Sequence, residues 1–187
     1  QEVEVLSLYD RAFTDLKIEG VHLKINHRKI LAGIVSKLGA KERLVDFTIA
    51  LDKIDKIGNE KVINEIIKIG LEESLKPILI DYLSISGDFK SRLDSLKKLF
   101  KSSVIGLEGV SDLFSIYNLV ILDDLNSSEL ILDTSLARGL SYYTGAIFEV
   151  NASDDIDIGS IAAGGRYDDL TSLFGLNDVS GVGISFG

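Results

Sequence analysis

The sequence predicts an α/β (α+β) chain in which a sheet-and-helix layer is interrupted by an all-helical insert. Three observations carry this. A short run with period-two alternation, 21-VHLKIN-26, appears early; a long stretch from residue 28 to residue 120 keeps a helical period; and four extended runs return after residue 120. The last runs are read as strands that rejoin the sheet begun at residues 21–26.

Taken in order, residues 1–19 place Val5, Leu6, Leu8, Tyr9, Ala12, Phe13 and Leu16 at helical spacing. Val21, Leu23 and Ile25 then share one face of a half-buried strand. Helices are expected over 28–39, 41–58, 60–70, 71–83, 88–100 and 107–120. Gly39, Gly58 and Gly70 stand where helix ends favour a left-handed residue, Asn59 suits an N-cap, and Pro77 should kink or start a helix. Strands are expected over 129–136, 145–150, 158–163 and 181–187, with one helical stretch from Arg166 to Phe174. No repeat or low-complexity tract is present.

With 187 residues, 45% of them hydrophobic, the chain can bury one full core or two small ones. No run reaches the roughly 18–20 uncharged residues that span a bilayer, and QEVEVLSLYDRAF lacks the basic start and continuous apolar stretch of a signal peptide, so a cytoplasmic address without a membrane is the expectation. The absence of cysteine excludes disulfides, thiolate metal sites and cysteine nucleophiles within these residues. The start at Gln1, the lack of methionine and the stop at Gly187 inside a Gly-punctuated apolar run read as an excised fragment.

The net charge of −9 is carried by the last third, where Arg138 and Arg166 face 11 acids, whereas residues 1–118 balance 18 basic against 18 acidic side chains. Two basic segments, Lys24 to Arg43 and Asp88 to Lys101, survive inside this acidic chain. On charge alone they are solvated helix faces or contacts for phosphate.

His22 and His27 lack the carboxylate partners of a metal site and read as ordinary surface or edge residues, so no metal ligand set is assigned. Gly181, Gly183 and Gly187 miss the dinucleotide pattern and open no helix. Two segments are less ordinary. In 138-RGLSYYTG-145 an arginine stands beside adjacent tyrosines, and in 163-AGGRYDDL-170 a glycine pair precedes Arg166 and Tyr167. An always-charged guanidinium beside phenolic hydroxyls suits a ligand with a phosphate or carboxylate at one end and a polar ring at the other; a structural salt bridge is the competing account of Arg138. The glycine pair is either a tight strand-to-helix turn or a place where a ligand meets backbone.

The segments 137-ARGLSYYTGAIFEV-150 and 162-AAGGRYDDL-170 resemble the two histidine-specific motifs of the histidyl-tRNA synthetase family, a class II aminoacyl-tRNA synthetase. Around them, 24-KINHRKILAGI-34 and 50-ALDKIDKIG-58 resemble the lead-in to the family's helical insertion domain, and 181-GVGISFG-187 resembles the start of class II motif 3. Ser141 departs from the acid more usual there, which bears on one local hydrogen bond.

The resemblance implies part of the antiparallel class II sheet in residues 1–33 and 119–187, with the insertion domain in 34–118. It implies a histidine–tRNA ligase that makes histidyl-adenylate from histidine and ATP, with Mg2+ entering as part of the ATP complex and no tightly bound cofactor, and then charges tRNA(His). Arg138 matches the catalytic arginine; with Tyr142, Tyr143, Gly164, Gly165 and Tyr167 it also matches the histidine-binding set. Lys90, Arg92, Lys97, Lys98 and Lys101 lie in the part that faces the tRNA acceptor end. A homodimer is implied for the complete enzyme, and motif 1, motif 2, the motif 3 arginine and the anticodon domain are expected outside these residues. The alternative is a non-catalytic synthetase-like regulatory subunit or a domain sensing tRNA or histidine, against which the intact arginine motif and the retained insert argue.

Overall fold

The computed structural model describes residues 1–187 except Asp154 and Asp157. A first helix, α1 (Glu2–Asp15), leads into β1 (Val21–His27). The helical stretch follows as α2 (Arg28–Lys37), α3 (Leu44–Leu51), α4 (Ile54–Ile57), α5 (Asn59–Lys68), α6 (Lys76–Leu83), α7 (Phe89–Leu99) and α8 (Val104–Asp123). The chain then returns through β2 (Ser128–Leu132), β3 (Ala146–Asn151), β4 (Ser160–Arg166), α9 (Asp168–Leu173) and β5 (Val182–Phe186).

The strands form one sheet in the order β2-β1-β3-β4-β5. The pairings β1–β3, β3–β4 and β4–β5 are antiparallel, and β1–β2 is parallel. That parallel pair follows from the insert: β2 begins after a long excursion that brings the chain back to the same end of the sheet, so no hairpin is required.

Side chains alternate across the strands. One face presents Val21, Leu23, Ile25, Phe148, Val150 and Ala162, all buried. Each such fully buried large apolar side chain contributes about 1.5–3 kcal/mol over leaving it exposed. Helix α1 lies on that face, where Tyr9 and Phe13 pack edge-on against Phe186. The Tyr9 hydroxyl donates to the Ala163 carbonyl at 2.8 Å, and burial raises its pKa, keeping it a neutral donor. Asp10 fixes the other end of this layer by accepting from the backbone N–H groups of Asn126 and Ser127, each at 2.9 Å.

Helix α8 is 20 residues long and apolar enough in length and composition to cross a membrane, and one face of it, about a third of the apolar window, is buried within the protein. It buries Gly106, Val110, Leu113, Ile116 and Val120 while carrying Glu108 and Asp112 in its middle. Gly33 of α2 and Gly106 let the two helices touch backbone to backbone, since a Cβ on Gly33 would stand 2.7 Å from the Gly106 Cα. The hydrophobic cluster runs without a break from the sheet into the insert, and the boundary expected at residues 33/34 falls inside α2.

The expected helix over 41–58 is broken. It becomes a 3-10 turn at Lys41–Arg43, then α3 and α4, because the chain bends at Asp52 and Lys53 while both keep near-helical dihedrals. Pro77 starts α6, where its missing N–H costs nothing. Asn59 opens α5 with Gly58 at the cap, rather than capping it with its own side chain.

Candidate active site

The sheet face opposite α1 is polar. Lys24, Glu149, Ala163 and Ser185 stand side by side on neighbouring strands, with Asn26, Ile147, Gly165 and Gly183 in the next row. The segment between β2 and β3, residues 133–145, lies across this face as an irregular loop; it is not the strand continuation expected to residue 136, nor does it place Arg138 within the sheet. Asn26 helps to hold it, donating from Nδ2 to the carbonyls of Thr134 and Leu136 at 3.2 and 2.8 Å.

Arg138 has φ +46°, the left-handed region that disfavours any residue with a Cβ. Its Nη1 donates to Glu149 Oε2 at 3.1 Å, with both side chains about one-fifth exposed (23% and 20%). The salt bridge weighed from sequence therefore exists, but it lies in the wall of an open cleft of 660 Å³ that Lys24, Asp133, Ser135 and Ser160 also line. Lys24 Nζ stands 3.8 Å from Asp133 Oδ2, so acid and base alternate along the cleft. Lys24 and Glu149 are direct cross-strand partners. A cleft of this kind can orient an anion on Arg138 while keeping its counter-charges fixed.

Beyond Arg138 the loop carries the tyrosines. Tyr142 and Tyr143 have ring centres 4.6 Å apart, and Tyr167 meets Tyr142 edge-on at 6.4 Å. Tyr143 is buried, and burial followed by the Tyr142 hydroxyl pushes its pKa up to about 12. It is therefore a neutral hydroxyl, able both to donate and to accept. Gly165 makes its seat: a Cβ there would lie 2.7 Å from the Tyr143 ring. Gly183 does the same for Tyr167, whose hydroxyl a Cβ would meet at 2.5 Å. The loop end is pinned to β4 and its exit by Thr144, whose N–H donates to Arg166 O at 2.8 Å and whose Oγ1 accepts from Asp168 N at 3.0 Å.

Of the residues expected in the histidine site, Arg138, Tyr142, Tyr143, Gly165 and Tyr167 gather on this face. Gly164 points the other way, where a Cβ would meet the Gly183 carbonyl and Ile184, so its smallness serves the β4–β5 pairing. The glycine pair is no strand-to-helix turn, because both residues are paired within β4. Arg166 also turns away from the tyrosines, to Glu2 Oε2 at 2.8 Å and Asp168 Oδ1 at 2.9 Å, and the Glu2 bonds raise its pKa.

On α7, Lys90, Lys97 and Lys98 are exposed, as is Lys101 just beyond it. Arg92 is engaged within the protein, donating to the carbonyls of Gly87 and Leu132 at 2.8 and 2.7 Å. His27, read from sequence as a surface or edge residue, is 5% exposed on an interior strand. Its Nδ1 caps α2 by accepting from Lys29 N at 3.1 Å, and its Nε2 stands 3.4 Å from Asp112 Oδ2. Burial, opposed by Asp112, pulls its pKa down to about 4. Its place immediately before a helical run was the available signal. Glu149, the one charge in 145-GAIFEV-150, was legible as an acid inside a strand but carried no assignment.

A largely antiparallel sheet with helices on one face, an arginine-and-tyrosine loop on the other and a helical insert between its first two strands defines part of a class II aminoacyl-tRNA synthetase core. The sequence model described as Histidyl-tRNA synthetase matches residues 1–187. The chain belongs to that family. It is 51% identical over its whole length to the histidine–tRNA ligase of Flavobacterium johnsoniae and 47% identical to that of Christiangramia forsetii, covering 39% and 41% of those proteins. It thus spans about two fifths of the length of these relatives. The crystal structure of histidyl-tRNA synthetase from Nostoc sp. PCC 7120 superposes with a TM-score of 0.89 at 29% identity, over 100% of this chain and 44% of that one. An ATP phosphoribosyltransferase regulatory subunit/histidyl-tRNA synthetase from Bacillus halodurans C shares the fold, with a TM-score of 0.80 at 19% identity over 98% of this chain and 46% of that one.

Proposed function

We propose that this chain supplies the histidine-recognition face and one catalytic arginine of a histidine–tRNA ligase, which joins histidine to ATP and passes the acyl group to tRNA(His). The carrying observation is that Arg138, steadied by Glu149 at 3.1 Å, and the Tyr142, Tyr143 and Tyr167 cluster share one polar sheet face. In the first step a histidine carboxylate oxygen bonds to the α-phosphorus of ATP as the bond to pyrophosphate breaks. Charge grows on the α-phosphate oxygens, and a guanidinium aimed there stabilises the transition state more than the ground state. At the other end of the ligand, the neutral Tyr143 hydroxyl meets one imidazole nitrogen. A side chain without that nitrogen leaves the hydroxyl unpaired, and selectivity comes from this penalty. Mg2+ enters with ATP as substrate. The exposed lysines of α7 face tRNA in this reading, with residues 34–118 as the insertion domain.

The test is exchange of labelled pyrophosphate into ATP by the full-length protein, with each amino acid offered in turn. Exchange with histidine alone is expected. Exchange driven by another amino acid, or none with histidine, contradicts the proposal.

A further inference from the structure

Arg138 holds a left-handed backbone conformation with a side chain that must be aimed, so something has to fix the segment before it. Two of the groups that do so come from the helical insert. The Tyr82 hydroxyl, fully buried on α6, donates to the Thr134 carbonyl at 2.6 Å. The Arg92 guanidinium on α7 donates to the Leu132 carbonyl at 2.7 Å. The sheet supplies the third, Asn26, on Thr134 and Leu136. Burial raises the Tyr82 pKa, so its hydroxyl remains protonated and has one acceptor to serve. Three residues separate Thr134 from Arg138, and two of them, Leu136 and Ala137, are buried. A shift at Thr134 is therefore passed forward through these packed side chains.

We propose that Tyr82, assisted by Arg92, is a positioning residue for Arg138, so that the seating of the helical insert on the sheet sets the aim of the catalytic guanidinium. This rests on the ligase reading above. It implies that the insert acts on the first chemical step, before any acyl transfer to tRNA.

The test is a double-mutant cycle in the full-length protein, read by histidine-dependent pyrophosphate exchange without tRNA. Tyr82→Phe keeps the ring in the core and removes only the hydroxyl. It should lower kcat by about tenfold and leave the KM values for histidine and ATP within about twofold, as for a misaimed group that acts in the transition state. In an Arg138→Ala background the same change should cost less than about twofold, because the group it aims is gone. Arg92→Lys, at a partly exposed position, provides the same cycle should Tyr82→Phe fail to fold. Unchanged kcat in the single variants, or an equal loss with and without Arg138, overturns the proposal and leaves the ligase reading intact. Absence of exchange in the wild-type protein overturns both.

Discussion

Adding one methyl group at Gly165 should damage histidine recognition without touching any ligand. A Cβ at this position would lie 2.7 Å from both Cδ1 and Cε1 of Tyr143 and 2.7 Å from the Ala146 carbonyl oxygen. Carbon atoms rest at about 3.5–4.0 Å, so the ring has to withdraw by about 1 Å. The carbonyl has little room to yield instead, because residue 146 pairs with His27 of β1 and the next residue, Ile147, pairs with Gly165 itself. A ring withdrawn by about 1 Å takes its hydroxyl out of hydrogen-bond reach and leaves a buried polar group unpaired, a loss of about 1–3 kcal/mol or roughly 5–150-fold in affinity. In the full-length protein, Gly165→Ala should therefore reduce histidine affinity in calorimetry by about 5–150-fold, with ATP affinity almost unchanged. Overpacking should also lower stability by about 1–3 kcal/mol. Because the methyl acts through the ring, combining it with Tyr143→Phe should give a loss smaller than the product of the two. Normal histidine affinity in Gly165→Ala would show that Tyr143 is not the group that reads the ligand.

Two further outcomes follow from the same geometry. The folded pKa of His27, about 4, lies below the ordinary 6.5, so the unfolded chain takes up the proton first as pH falls. Stability that is full above pH 6.5 should be lost progressively down to about pH 4, by about 3 kcal/mol at most. His27→Asn keeps a capping oxygen but cannot titrate, so urea melts at pH 7 and pH 4.5 should show a smaller difference than in wild type; an equal difference would mean that other groups carry the acid sensitivity. Replacing Lys97 and Lys98 by Glu should weaken tRNA binding and reduce its salt slope by roughly 1.5, if each lysine meets one phosphate. Filter binding across a salt series checks this, and an unchanged slope would make these lysines a solvated face.

Much of the fold was legible because its signals are local. The alternation in 21-VHLKIN-26 and the glycine-bounded helical runs each reflect a face that must be buried, and the elements fall where those patterns lie. The break of residues 41–58 was not legible: Asp52 and Lys53 bend the chain through dihedrals close enough to helical that the apolar spacing barely changes. The loop after β2 escaped for a different reason. The stretch 129-ELILDTSL-136 has strand composition to its end, and the chain leaves the sheet through a turn in which the N–H groups of Ser135 and Leu136 donate to Asp133, held by the bonds from Asn26 and Tyr82 to Thr134. Within the site, Arg138 and the tyrosines were legible as a motif, whereas the opposite facing of Gly164 and Gly165 depends on the register of β4. Tyr82 gave no signal, since its role arises from a contact 52 residues away.

In the proposed ligase, Arg138 acts on the transition state of adenylate formation while the tyrosine face binds histidine. The most direct measurement is the single-turnover rate of histidyl-adenylate formation in full-length Arg138→Ala, taken together with its histidine dissociation constant. The expected rate is lower by roughly 10²–10³-fold, the loss typical of one transition-state donor, with histidine affinity within a few-fold of wild type. A normal rate at saturating histidine, with the whole defect in binding, would contradict this role for Arg138.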